Sequence, residues 1–135
     1  MPGTGLRLLI VDDQELFAMT LAAVVSRLNY NLIGSAATSE RAVELALDTM
    51  PDVVLMDLHL KGQRDGVETA KAIIEATGAQ IIFLTGASGD RDIARMQALK
   101  PAAVLHKPFR RTALADALVL AAKRMRDQPV PMRLA

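Results

Sequence analysis

The chain has 135 residues, 51% of them hydrophobic, with sixteen basic against fifteen acidic side chains and no cysteine. That is the size of one domain able to bury a core without disulfides or a structural metal, and a net charge of +1 leaves no global field for nucleic acid to follow. No apolar run approaches the roughly 18 residues of a membrane span, Trp is absent and aromatics are 3%, and the N-terminus is unlike a signal peptide; these features argue for a soluble cytoplasmic protein without nucleic-acid or membrane partners.

Residues 6–11 form a short apolar strand, after which Asp12, Asp13, Gln14 and Glu15 offer N-cap-competent residues. Phe17, Leu21, Val24, Val25 and Leu28 then fall on one stripe of a helix that Asn29 breaks. A weaker strand over 32–37 leads to Ser39 as a cap and a second helix with Val43, Ala46, Leu47 and Met50 facing inward, stopped by Pro51. Residues 52–57 read as a fully buried strand ending in Asp57. Beyond a polar loop, Asp65 and Glu68 are spaced as a capping box for a third helix with Val67, Ala70 and Ile74 inward, ended by Gly78. A strand over 80–84 ends in Thr85-Gly86, and a less apolar helix over about 90–99 carries Ile93 and Met96. A small-residue strand over 102–105 precedes His106-Lys107-Pro108-Phe109. Leu114, Leu118, Ala121, Ala122 and Met125 mark a last helix.

Strands alternating with helices predict a parallel five-stranded sheet covered on both faces, a doubly wound α/β fold. In such sheets ligands bind outside the carboxyl ends of the strands, near the point where strand order reverses. Asp12, Asp13, Asp57, Thr85 and Lys107 all sit at such ends. Three gathered carboxylates repel one another unless a cation lies between them, and an oxygen-only donor set favours Mg²⁺. Lys107 and Thr85 add a point charge and a hydroxyl suited to phosphate oxygens, so the parts are those of phosphoryl transfer with a carboxylate nucleophile.

Asp12-Asp13, Met56-Asp57, Thr85-Gly86 and Lys107-Pro108-Phe109, each closing a strand, together with Leu60, Gly62, Asp65 and Gly66 in the loop after the third strand, resemble the response regulator receiver domain of two-component signalling. The resemblance covers residues 6–126 and implies a flavodoxin-like sheet of order 2-1-3-4-5. Residues 1–5 then form an N-terminal extension, 6–127 the receiver and 128–135 a flexible tail. By the same resemblance Asp57 accepts a phosphoryl group from a phosphohistidine on a sensor histidine kinase or phosphotransfer protein. Asp13, Asp57 and the His59 backbone carbonyl would bind Mg²⁺, with Asp12 acting through water. Thr85 and Lys107 would contact the phosphoryl oxygens, and Lys107-Pro108 would be a cis peptide. His59, Ala87 and Val104 are the positions at which the switch would be modulated, the His59 ring by reaching over the phosphoryl site.

Receivers usually carry an aromatic three residues before the lysine, where this chain has Val104. An aromatic swing is therefore excluded as the output, leaving the backbone or the fourth helix to carry it, and the chain is partly similar to a subgroup of small stand-alone receivers. With no output domain after the last helix, phosphorylation is expected to be read by a separate target protein or to drain a phosphorelay. Ala113 and Leu120, off the core stripe of the last helix, are candidates for a homodimer or target face. Two competing readings are a phosphorylation-independent interaction module and a small-molecule phosphohydrolase. The second requires Asp-x-Asp where this chain has Asp57-Leu58-His59.

Overall fold

A computed structural model of the chain describes residues 5–86 and 89–127. Five strands alternate with five helices: β1 (Arg7–Val11), α1 (Glu15–Arg27), β2 (Asn31–Ala36), α2 (Ser39–Thr49), β3 (Val53–Asp57), α3 (Gly66–Thr77), β4 (Gln80–Thr85), α4 (Asp90–Ala98), β5 (Ala103–His106) and α5 (Arg111–Asp127). The strands pair in parallel in the order β2-β1-β3-β4-β5, the flavodoxin-like arrangement expected from the sequence. Of the sequence expectations, residues 1–4 of the N-terminal extension, Ala87 and the tail 128–135 lie outside the described residues.

Successive side chains of a strand point to opposite faces, so each central strand feeds two cores. Leu8, Ile10, Val53, Leu55, Ile82 and Leu84 meet Leu21 and Val25 of α1 and Leu114 and Leu118 of α5. Leu9, Val11, Val54, Met56, Ile81 and Phe83 meet Ala42 and Ala46 of α2, Ile73 of α3 and Met96 of α4. Being covered on both sides, β3 buries all five of its residues, which is why it reads as an unbroken apolar run. Among the described residues, no helix is long and apolar enough to cross a membrane.

Three local expectations are corrected. Thr38, not Ser39, caps α2 by accepting the Arg41 N–H, while the Ser39 hydroxyl donates to Glu40. The inner face of α2 is Ser39, Ala42 and Ala46, whereas Leu47 and Met50 are 54% and 37% exposed. On α3 the fully buried isoleucine is Ile73, with Ile74 packed at the edge. The capping box of α3 is present as expected, Asp65 accepting from the Glu68 N–H and Glu68 from the Asp65 N–H, and Gly78 ends the helix at φ 73°, where a side chain would be strained.

Candidate functional site

Strand order reverses between β1, which pairs with β2 on one side, and β3 on the other. The crevice at that reversal is walled by the residues that close these strands. Asp57 is the last residue of β3 and Asp12 follows β1; they are 4% and 2% exposed. Asp13 is half-buried beside them, and one carboxylate oxygen from each of the three acids lies within 4.8 Å of the others. The Asp12 main chain is anchored to β2 through the Ala36 carbonyl. One of its carboxylate oxygens accepts the Gln14 N–H at 2.8 Å, so this acid fastens the turn that opens α1 while Gln14 takes the N-cap position.

Lys107 enters from the opposite rim. Thr85, fully buried at the end of β4, accepts the Lys107 backbone N–H through its carbonyl at 2.6 Å, and the Lys107-Pro108 peptide is cis. The Lys107 Nζ then lies 3.3 Å from Asp12 Oδ2 and 3.6 Å from Asp57 Oδ1. His59 is exposed, and its backbone N–H points at Asp57 Oδ1 at 3.4 Å. Val104 packs on β5 against the cluster that holds Phe83 and Met96. The structure thus brings Asp12, Asp13, Asp57 and Lys107 together, with Thr85 fixing the lysine's main chain.

Electrostatics follow from this crowding. Burial, then repulsion from Asp12 and more weakly Asp13, pushes the Asp57 carboxyl up to about 6, against the opposing pull of Lys107 and the His59 N–H. Three carboxylates and one ammonium leave a formal charge of −2 in a cleft built of oxygen donors. That charge and hardness fit a divalent ion of the Mg²⁺ type. A carboxyl at about 6 is mostly ionised at neutral pH, and such an ion would favour the ionised form further.

Two contacts at the site go beyond the sequence reading. Gly66, named there only as a loop-motif residue, opens α3 against the end of β3: a Cβ there would fall against the Asp57 carbonyl oxygen and the Leu58 backbone. Phe17, expected only as part of the α1 core stripe, lies with its ring centroid 4.2 Å from Lys107 Nζ. It stands in the first turn of α1, and nothing in the sequence pairs it with Lys107.

Comparison with known proteins agrees with this geometry. The response regulator receiver domain family matches residues 8–119. The transcriptional regulatory protein PdtaR of Mycobacterium tuberculosis is 36% identical over 121 residues, covering 90% of this chain and 58% of that protein; the chain therefore spans little more than half of that relative. The chemotaxis protein CheY of Thermotoga maritima is 29% identical over 116 residues, covering 84% of this chain and 95% of that protein. Among solved structures, the signal receiver domain of a modulated diguanylate cyclase from Desulfovibrio desulfuricans superposes with a TM-score of 0.84 at 32% identity, covering 89% of this chain and 95% of that one.

Proposed function

Because the chain belongs to the response regulator receiver domain family, we propose that it accepts a phosphoryl group on Asp57 from a phosphohistidine of a histidine kinase or phosphotransfer protein and passes the signal on by protein–protein contact. Receiver domains are signalling domains rather than enzymes with a separate substrate; here the only chemistry would be the domain's own phosphorylation and dephosphorylation. The observation that carries the reading is Asp57 itself, buried among two further acids with Lys107 Nζ at 3.6 Å.

In the proposed reaction an Asp57 carboxylate oxygen attacks phosphorus, the bond from phosphorus to the donor imidazole breaks, and the imidazole leaves with the electron pair and takes a proton. Asp13 and Asp57 would hold Mg²⁺ directly, with the His59 carbonyl, and Asp12 through water. When bound, the ion supplies countercharge to the acids and to the transferred oxygens. Lys107 and the Thr85 hydroxyl would meet the phosphoryl oxygens, positioned before the donor arrives. Output then shifts a pre-existing equilibrium, and with Val104 in place of an aromatic we assign the moving part to the β4–α4 region. Residues 6–127 are the proposed receiver unit. The absence of cysteine supports placing it in the cytoplasm.

Incubation with Mg²⁺ and a small phosphodonor should add one phosphoryl group to the wild type and none to Asp57→Ala, read by intact mass. Equal labelling of both would remove Asp57 from the role.

A further inference from the structure

The Lys107 ammonium has a third neighbour besides Asp12 and Asp57. It sits over the face of the Phe17 ring, 4.2 Å from the centroid, within the range in which an ammonium is attracted by the negative face of an aromatic ring. Phe17 is fixed in turn by Phe109, whose ring stands at 90° to it with centroids 6.0 Å apart, a favoured edge arrangement. The turn that delivers Lys107 therefore also delivers, two residues later, the ring that orients the lysine's neighbour on α1. Elsewhere the chain fills its core with aliphatic residues. Of its three phenylalanines and one tyrosine, Phe83 lies in the sheet core and Tyr30 in the other cluster, and the remaining two meet at this ammonium.

We propose that Phe17 is a positioning residue for the phosphoryl-transfer site, holding the Lys107 ammonium beside Asp57 by its ring face. The role rests on the phosphoacceptor reading of Asp57. A lysine stem has four rotatable carbons, and an ammonium that must be in place when charge spreads over the phosphoryl oxygens gains from being held there beforehand. The two carboxylates that hold it at 3.3 and 3.6 Å are also members of the acid cluster suited to a divalent ion, and sharing their charge with that ion weakens their grip on the lysine. The ring's attraction does not compete with the ion. Nor does the ring take up a directional hydrogen bond, so the N–H donors stay available for oxygen. An aliphatic residue at position 17 would fill the same space without this attraction.

The test separates ring electrostatics from packing. Phenylalanines carrying one, two and three fluorines, placed specifically at position 17, weaken the negative ring face stepwise with little change of shape. Phosphorylation by a small phosphodonor at saturating Mg²⁺ should slow with each fluorine, reaching about fivefold for the trifluoro ring and a similar loss for Phe17→Leu, while every member of the fluorinated series stays cooperatively folded, its stability lowered by no more than the weakened ring attraction. In the metal-free protein, the Lys107 ε-methylene protons should show the upfield ring-current displacement of a group above an aromatic face and lose it in Phe17→Leu. A wild type that is phosphorylated on Asp57 with a flat fluorine series, or ε-methylene shifts that are the same in wild type and Phe17→Leu, overturns the role of Phe17 alone. A wild type that takes no phosphoryl group, or is labelled equally when Asp57 is replaced by alanine, overturns the reading of Asp57 and this inference with it.

Discussion

Arg95 of α4 reaches across to Asp65, the N-cap of α3, with Nη1 2.8 Å from Asp65 Oδ2, and contacts Asp92 on its own helix at 3.3 Å. Met96 is the one α4 residue that is fully buried, so few apolar contacts fix the helix and this ion pair adds to them. Both side chains are about one-third exposed, which limits the pair to roughly 0.5–1 kcal/mol. Its importance is local: α4 packs on the same side as Val104, where the proposed output motion has no aromatic to carry it.

Arg95→Ala should therefore lower global stability by less than about 1 kcal/mol yet speed amide exchange through α4 relative to the central strands. Asp65→Ala, which also removes the cap, should cost about 1–2 kcal/mol. Burial alone would raise the Asp65 carboxyl, but the Arg95 hydrogen bond and charge and the Glu68 N–H together take it below its ordinary value. A depressed folded-state pKa contributes stability above the unfolded carboxylate pKa that is lost as pH falls toward the folded one. Acid should consequently loosen α4 and the start of α3 early. Exchange in α4 that is identical in wild type and Arg95→Ala would dismiss the latch.

Asp57 has the opposite sign. With its carboxyl pushed up to about 6 by burial and then by Asp12, the unfolded chain releases this proton before the folded one does, so the folded state binds more protons and its stability falls as pH rises. The cost is absent below the ordinary carboxylate range, accrues up to about pH 6 and is complete above it, on the order of 2–3 kcal/mol as an upper bound. In the presence of a chelator, Asp57→Asn should stabilise the protein at pH 8 by about 1–3 kcal/mol and much less at pH 4.5. Urea titrations at the two pH values decide it; an equal difference at both would refute the assignment.

How much of this was legible in the sequence depended on how local the determining contacts are. β3, the capping box of Asp65 and Glu68 and the Gly78 stop rest on neighbouring residues and were readable. The four rim motifs placed the acids and Lys107 because strand ends converge in any parallel sheet. The inner face of α2 was misread because Leu47 and Met50 outweigh Ala42 in hydrophobicity, whereas close packing on the sheet selects the small Ala42 and Ala46, which are fully buried. The Phe17–Lys107 contact joins residues far apart in the chain, and no periodicity encodes it.

Gly66→Ala pits two effects against each other. Alanine within a helix gains up to about 1 kcal/mol over glycine, but the added Cβ meets the main chain of Asp57 and Leu58, which cannot yield as a flexible side chain would. Overpacking costs of about 1–3 kcal/mol prevail, so a net loss of about 1–2 kcal/mol is expected, together with weaker Mg²⁺ binding because the backbone carrying Asp57 must shift. Stability equal to or above wild type with unchanged Mg²⁺ affinity would show that the close approach of α3 to β3 is not a constraint.

Lys107→Met keeps a long apolar stem but removes the ammonium paired with Asp12 and Asp57. Breaking a buried pair leaves uncompensated carboxylates and costs about 3–5 kcal/mol in a dry site; with the Lys107 side chain 17% exposed, about 2 kcal/mol is the better expectation. That loss should depend on Mg²⁺. A divalent ion held by the three acids takes over the countercharge, and it binds the folded state alone, so at about 100 times its dissociation constant it adds about 2.7 kcal/mol to the folded form. Urea titrations with chelator and with saturating Mg²⁺ should therefore show a large Lys107→Met deficit in the first case and a small one in the second. A deficit of the same size in both would mean that the ammonium stabilises the fold through a contact the ion does not replace, such as the face of the Phe17 ring, and not as the countercharge of the acid cluster.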